Sequence, residues 1–219
     1  MIREQEKAEQ IITFFQKSFG DIEWWPGDPE EVIIGAVLTQ QTRWANVLTA
    51  LERLHEAGIC SLRGIQESSD RTVEEAIYST GFYRIKRARL KCVASTVLSC
   101  GGTGYLAGCS TLSLRAFFLA IKGVGPETAD SILCYGFGRP SFVIDAYTRR
   151  IFARLGYVDE NSAYGRLQEQ FMMCLPMDTG LYNEYHALLV RLAKETCRKK
   201  PLCTACCLKN ALKRHVSLL

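Results

Sequence analysis

The stretch Ile121-Lys122-Gly123-Val124-Gly125-Pro126-Glu127-Thr128-Ala129 decides how this chain is read. Glycine tolerates positive φ and puts no side chain between the backbone and a ligand. Two glycines one residue apart therefore predict a sharp turn with bare N–H groups. A helix pattern starts at once after the turn, so its positive dipole end points at the same spot and suits an anion such as a phosphate. An ordinary turn between two helices satisfies the same pattern, so the neighbouring sequence has to decide.

Eighteen residues after Glu127 comes Asp145, at the end of the run Phe142-Val143-Ile144-Asp145-Ala146-Tyr147. The apolar triplet delivers a carboxylate to the start of the next helix. Asp145 reads both as a helix N-cap and as a reactive group, and the two are compatible, since a cap can also stand at the mouth of a pocket. Elsewhere helical periodicity dominates and no alternating strand pattern persists. Helices are expected over 5–18, 29–38, 42–57, 72–79, 84–99, 110–121, 127–137, 145–155, 163–174 and 181–194. Residues 24–29 and the glycine-rich 101–104 are expected as loops. Gly138-Arg139-Pro140 is the best boundary candidate.

The chain has 219 residues, 47% of them hydrophobic, enough for one sizeable core or two smaller ones. Its N-terminal stretch is charged and helical in pattern, without a signal-peptide core. The longest apolar run, 32–39, is too short to span a bilayer. An intracellular protein of the cytoplasm or nucleoid, with no membrane partner, is expected. Net charge is only +4, but its distribution is uneven. Residues 84–91 carry five basic groups and no acid, and 191–214 carry eight against Glu195 alone. Such clusters suit a phosphate backbone, or they are solvated helix faces. Ten cysteines in a chain of this type argue against a disulfide framework. Four of them, Cys197, Cys203, Cys206 and Cys207, fall within eleven residues, a spacing suited to thiolate ligation of zinc or an iron–sulfur cluster.

Taken in order, these residues resemble the helix-hairpin-helix, Gly/Pro-loop and aspartate signature of the endonuclease III superfamily of DNA glycosylases. The likeness covers nearly the whole chain. Gly123 and Gly125 match the hairpin glycines, and Asp145 matches the catalytic aspartate. Leu38-Thr39-Gln40-Gln41-Thr42 resembles a helix break carrying a DNA-probing glutamine, here Gln41. Gly81-Phe82-Tyr83 resembles the loop that carries an apolar intercalating wedge, here Phe82. The resemblance implies an all-α fold of two helical domains with a DNA-binding cleft between them. Residues 22–137 would form one domain, and 1–21 with 138–219 the other. The implied partner is double-stranded DNA containing a damaged base, bound by a monomer. Lys122, Arg198 and Lys199 are expected to contact DNA, although Lys122, before the turn, should point away from the cleft.

One departure bears on the chemistry. Strand-cleaving members carry lysine where this chain has Glu127. Only an amine can form the Schiff base that precedes strand cleavage. The chain should therefore release a base and leave an abasic site. Trp24-Trp25-Pro26, Phe82-Tyr83 and Asp145-Ala146-Tyr147 resemble the 3-methyladenine glycosylases of the superfamily. Trp24, Trp25 and Tyr147 are the expected base pocket, because a cationic alkylated purine is attracted to an electron-rich ring face. Core packing is the alternative for the tryptophans. A mispair-specific adenine or thymine glycosylase, and a non-catalytic DNA-binding module in which Asp145 is only a cap, also stay open. The cysteine loop resembles the family's [4Fe–4S] loop, which makes that cluster the implied cofactor. The family's fourth ligand position is Leu212 here, which leaves Cys207, an exogenous ligand or a site without metal as alternatives.

Overall fold

The structure, a computed structural model, describes Trp25 and residues 27–208. The expectations for 5–18, Trp24 and Leu212 lie outside the described residues. Every regular element among the described residues is helical. The chain divides into two compact units, Trp25–Arg139 and a second one that takes up the chain from Pro140.

The first unit opens on α1, Pro29–Leu38. The Asp28 carboxylate accepts hydrogen bonds from the amides of Glu30 and Glu31 at 2.8 and 3.0 Å, which satisfies two of the donors that a helix start leaves over. Val32 to Leu38 are all buried, so α1 is a core helix, apolar on every side. The following helix, α2 (Trp44–Glu56), is amphipathic, burying Val47, Ala50, Leu51 and Leu54 at helical spacing. Helices α3 (Leu62–Glu67) and α4 (Asp70–Ile77) are capped by Ser61 and Ser69. A single 3₁₀ turn, Tyr78–Thr80, leads through Gly81 and Phe82 into α5, Tyr83–Ser99. Then come α6 (Gly102–Ala107), α7 (Thr111–Ala120) and α8 (Pro126–Ser131), which runs on into a π-helical turn at Ile132–Gly136. The core of this unit is almost entirely aliphatic.

Three expectations need correction. Residues 101–104 are not all loop: Gly101 and Gly102 supply the left-handed turn, with φ of 105° and 80°, and α6 winds from there. The short helix α3 was not anticipated, because its six residues are too few to show a period. The helix expected over 127–137 is α-helical only to Ser131 and continues as a π turn.

The second unit begins with the run Ser141–Ile144, which has no regular structure and is buried. It continues as α9 (Ala146–Arg154), α10 (Tyr164–Cys174) and α11 (Thr179–Glu195). Its core is aromatic. The Phe142 ring stacks on Phe171 at 4.9 Å and meets Tyr182 edge-on at 5.4 Å, while Phe152 meets Phe171 edge-on at 4.6 Å. Offset and edge contacts of this kind add to the area that the rings bury. No helix among the described residues is long and apolar enough to cross a membrane.

Candidate functional site

In the first unit, α1 stops where the Thr39 hydroxyl turns back to donate to the Gly35 carbonyl at 2.7 Å. The chain then reverses through Gln41, which is exposed and has φ of 55°. Phe82, at the entry to α5, has φ of 47° and is 62% exposed. These two are the only non-glycine residues with positive φ among the described residues. A left-handed conformation costs a side-chain-bearing residue roughly 1–2 kcal/mol, and an exposed phenyl ring gains no burial in return. Strain of this kind persists only where the surroundings enforce it, and it concentrates at functional positions.

Lys86, on the first turns of α5, is part of that enforcement. It is only 1% exposed, and its ammonium donates to the Leu38 carbonyl and to the Thr80 carbonyl, both at 2.8 Å. Burial, and then the charge of Arg89, push its pKa down to about 8. The sequence offered only a basic stretch here, and the structure accounts for most of it internally. Arg87 pairs with Asp70 and Glu74, Lys91 with Asp70, and Arg89 donates to Gln40. Arg84 alone is largely exposed, 3.9 Å from Glu74. The 84–91 run is therefore mainly a set of internal ties, because α5 lies against acidic groups of α4.

The hairpin joins α7 to α8. Gly123 has φ of 92°, and a Cβ there would lie 2.8 Å from Arg89 Cγ. Its carbonyl accepts a hydrogen bond from Gln40 Nε2 at 2.9 Å, and the same amide donates to Thr128 Oγ1 at 3.1 Å. Gly125 differs from expectation. Its φ and ψ of −94° and 176° are extended, open to any residue, and nothing lies within 4 Å of where its Cβ would be. Only Gly123 makes the turn, while Gly125 keeps the surface bare. The hairpin is braced below by Arg115, which grips the fully buried Asp130 carboxylate through two hydrogen bonds of 2.7 and 3.0 Å. Lys122 and Glu127 are both exposed. Trp25 is spent on packing. Its ring sits where a side chain at Gly35 would go, with Cζ2 2.1 Å from the position of a Cβ, and it meets Trp44 edge-on at 4.7 Å.

In the second unit Asp145 caps α9, accepting from the Thr148 amide at 2.7 Å. Its other oxygen stands 3.3 Å from His186 Nε2 on α11. Burial alone would raise the carboxyl pKa. The hydrogen bond and charge of His186, with the Thr148 hydrogen bonds, outweigh it and hold Asp145 below the ordinary carboxylate range. Sequence reasoning missed His186, which follows Tyr185 in an otherwise apolar stripe and carries no motif. Tyr147 is half-buried, with the Arg150 guanidinium 5.1 Å above its ring.

Two donor sets bear on metal, and among the described residues only the second gathers three ligand atoms within metal-binding distance. Cys197, Cys203, Cys206 and Cys207 lie on the turns after α11, none fully buried. Arg154 reaches the Cys197 sulfur at 3.4 Å, and its guanidinium also bonds the carbonyls of Arg198 and Lys199 at 2.6 and 2.9 Å. That fixes the backbone of the loop and leaves the Arg198 and Lys199 side chains exposed. Glu31, His55 and Cys60 place their ligand atoms within 4.8 Å of one another. There, however, His55 and Glu31 are already closed on each other at 2.8 Å, and burial and the charges of Glu31 and Asp28 push the Cys60 thiol up to about 12.

Comparison with known proteins bears on the whole arrangement. Residues 34–177 match the family described as HhH-GPD superfamily base excision DNA repair protein. A Methanocaldococcus jannaschii protein described as a "Putative DNA repair glycosylase" is 44% identical, over 94% of this chain and 97% of its own length. Endonuclease III of Thermotoga maritima is 28% identical, over 94% and 90% of the two chains. Among solved structures, the H. pylori 3-methyladenine DNA glycosylase bound to 1,N6-ethenoadenine superimposes with a TM-score of 0.75 at 27% identity. It covers 88% of this chain and 97% of that one.

Proposed function

The chain belongs to the HhH-GPD superfamily of base excision DNA repair proteins, and on that basis we propose that it is a monofunctional DNA glycosylase acting on alkylated purines in double-stranded DNA. The observation that carries this reading is Glu127, an exposed carboxylate in the first turn of the helix after the hairpin. Strand cleavage by this fold's lysine mechanism needs an amine at that position to form an imine with the sugar, and a carboxylate forms none. The similarity to a 3-methyladenine glycosylase supports the substrate class.

In this reading Asp145 is the catalytic residue. Positive charge develops on the sugar ring as the base leaves, and a carboxylate kept ionised by His186 and Thr148 is ready to stabilise it. Asp145 also orients the attacking water. An alkylated purine is a cationic leaving group with a weakened glycosidic bond, so an acid at the base is not required. Tyr147, two residues from Asp145, is the proposed stacking face. Gln41 and Phe82 probe and wedge the duplex, and Gly123, Gly125 and Lys122 meet its phosphates.

The four C-terminal cysteines are the proposed holders of a [4Fe–4S] cluster. Thiolates are the ligands that such a cluster takes, and the Cys197 sulfur stands beside the Arg154 guanidinium, a favourable neighbour for an anionic cluster. The cluster's contribution would be structural, presenting Arg198 and Lys199 to the DNA backbone.

The test is product analysis on methylated DNA. Free methylated purine should appear while the strand stays intact until alkali or heat is applied, and borohydride should trap no protein–DNA adduct. Efficient trapping by the wild-type protein would overturn the monofunctional assignment and point to Lys122 or another amine.

A further inference from the structure

We propose that Lys86 is a positioning residue that clamps the Gln41 turn and the Phe82 turn together, and that the clamp serves the step in which a paired base is driven out of the helix. This rests on the glycosylase reading above. The two turns come from separate elements, the end of α1 and the 3₁₀ turn before α5, and no backbone hydrogen bond between them is present among the described residues. The Lys86 ammonium joins them at 2.8 Å on each side.

Both acceptors are carbonyls near helix ends, the groups that a helix cannot satisfy from within. Leu38 stands three residues before Gln41, and Thr80 two before Phe82. A cation is the favoured partner for the negative end of a helix, and here one cation serves two such ends. Hydrogen bonds from a charged group are shorter and stronger than neutral ones, and at 1% exposure these are shielded from water.

The geometry also says what the clamp is for. A wedge and a probe act together only if the spacing between them holds under load. The load arises when a stacked, paired base is pushed out, and the duplex then pushes back against the exposed Phe82 ring. Phe82 gains little from packing, being 62% exposed, and its φ of 47° is the strained choice. Without a tie from its neighbours the turn would relax under that load. Ser79 supplies a second anchor on the wedge side, donating to the Asn46 carbonyl at 2.9 Å. On the probe side, Gln40 bridges to the hairpin through Gly123 and Thr128. Asn46 links Ser79 to the Thr42 hydroxyl, to which its amide donates at 3.1 Å, but Lys86 joins the two turns directly through a single buried charge. A lesion that has no partner needs little force to leave the stack, so it should not need the clamp.

The test compares single-turnover release of a methylated purine from two duplexes, one with the lesion paired and one with the lesion opposite an abasic gap. Lys86→Met keeps the aliphatic stem and removes both hydrogen bonds. It should slow release from the paired duplex by about tenfold or more, the scale expected for losing charged hydrogen bonds. Release from the unpaired duplex should stay near wild type, with DNA affinity unchanged. An equal loss on both duplexes would reduce Lys86 to ordinary support of the fold and overturn the proposal, as would no loss on either. Thermal melting checks that the variant folds. Should Lys86→Met fail to fold, Lys86→Gln, whose amide is uncharged and one bond shorter and so cannot hold both carbonyls as the ammonium does, goes through the same pair of assays and the same ratio decides. A wild-type protein inactive on both duplexes would instead sink the glycosylase reading. The clamp is then judged by fluorescence of a 2-aminopurine placed beside the lesion, which reports extrusion without chemistry: a wild-type signal that Lys86→Met loses supports it, and equal signals overturn it.

Discussion

Under the proposed function, Asp145 holds two jobs that usually compete. As a helix cap it must accept from the Thr148 amide, and as a reactive carboxylate it must stay charged in a buried place. His186 resolves the conflict by offsetting the burial that would otherwise neutralise it. Asp145→Asn separates the jobs, since asparagine caps a helix about as well as aspartate. Its melting temperature should stay close to wild type while single-turnover base release falls by roughly 10²–10³. Retained excision in that variant would remove Asp145 from the mechanism. His186→Gln acts on the charge alone. It takes away the His186 charge, one of the influences lowering the Asp145 pKa, and leaves burial, which raises it. The acid limb of the pH–rate profile should therefore move to higher pH. Stability follows the same sign. With the folded value held below the unfolded 3.8, Asp145 contributes stability that is fully present above the unfolded value and is lost as pH falls through the lowered one. Acid titration of the folded protein should show that loss in the wild type, diminished in His186→Gln.

At the scale of elements, the two glycines of the hairpin do different things. Gly123 makes the turn, with φ of 92° and Arg89 where a Cβ would be. Gly125 makes no backbone demand and faces open space. Gly123→Ala should thus destabilise the protein by roughly 1–2 kcal/mol or more, from the left-handed conformation and the contact with Arg89. Gly125→Ala should leave denaturant stability nearly unchanged but, under the proposed function, weaken DNA binding, because a methyl group would stand between backbone and phosphate. Equal effects of the two on stability would contradict this division. The turn pattern itself was readable from Gly-x-Gly, but which glycine turns was not, since both types satisfy the same letters. The loop expected at 101–104 erred for a related reason: glycines mark where a chain can turn, and after two of them the remaining residues were free to wind into α6.

At the scale of the whole molecule, basic charge among the described residues is divided between internal ties and exposed side chains. The basic run at 84–91 is largely consumed by Asp70, Glu74, Gln40 and backbone carbonyls, whereas Arg198 and Lys199 are exposed on a loop whose backbone Arg154 fixes. Under the proposed function, Arg198→Ala and Lys199→Ala should weaken binding to all DNA sequences alike. Each should lower the slope of log affinity against log salt by about one unit. An unchanged slope would place this loop away from the DNA.

What the sequence determined by itself was the all-α class, the hairpin, the cap at Asp145 and the order of motifs that marks the superfamily. These follow from local rules, helical period, glycine and capping chemistry, which act over a few residues and so leave their imprint in the letters. Tertiary structure alone decided that His186, forty-one residues on, stands beside Asp145, that Lys86 is buried between two helix ends rather than offered to phosphate, and that Trp25 packs on Gly35. A lysine's letter carries its charge but not its surroundings, and only packing of distant segments determines whether that charge meets water, a carboxylate or a pair of carbonyls.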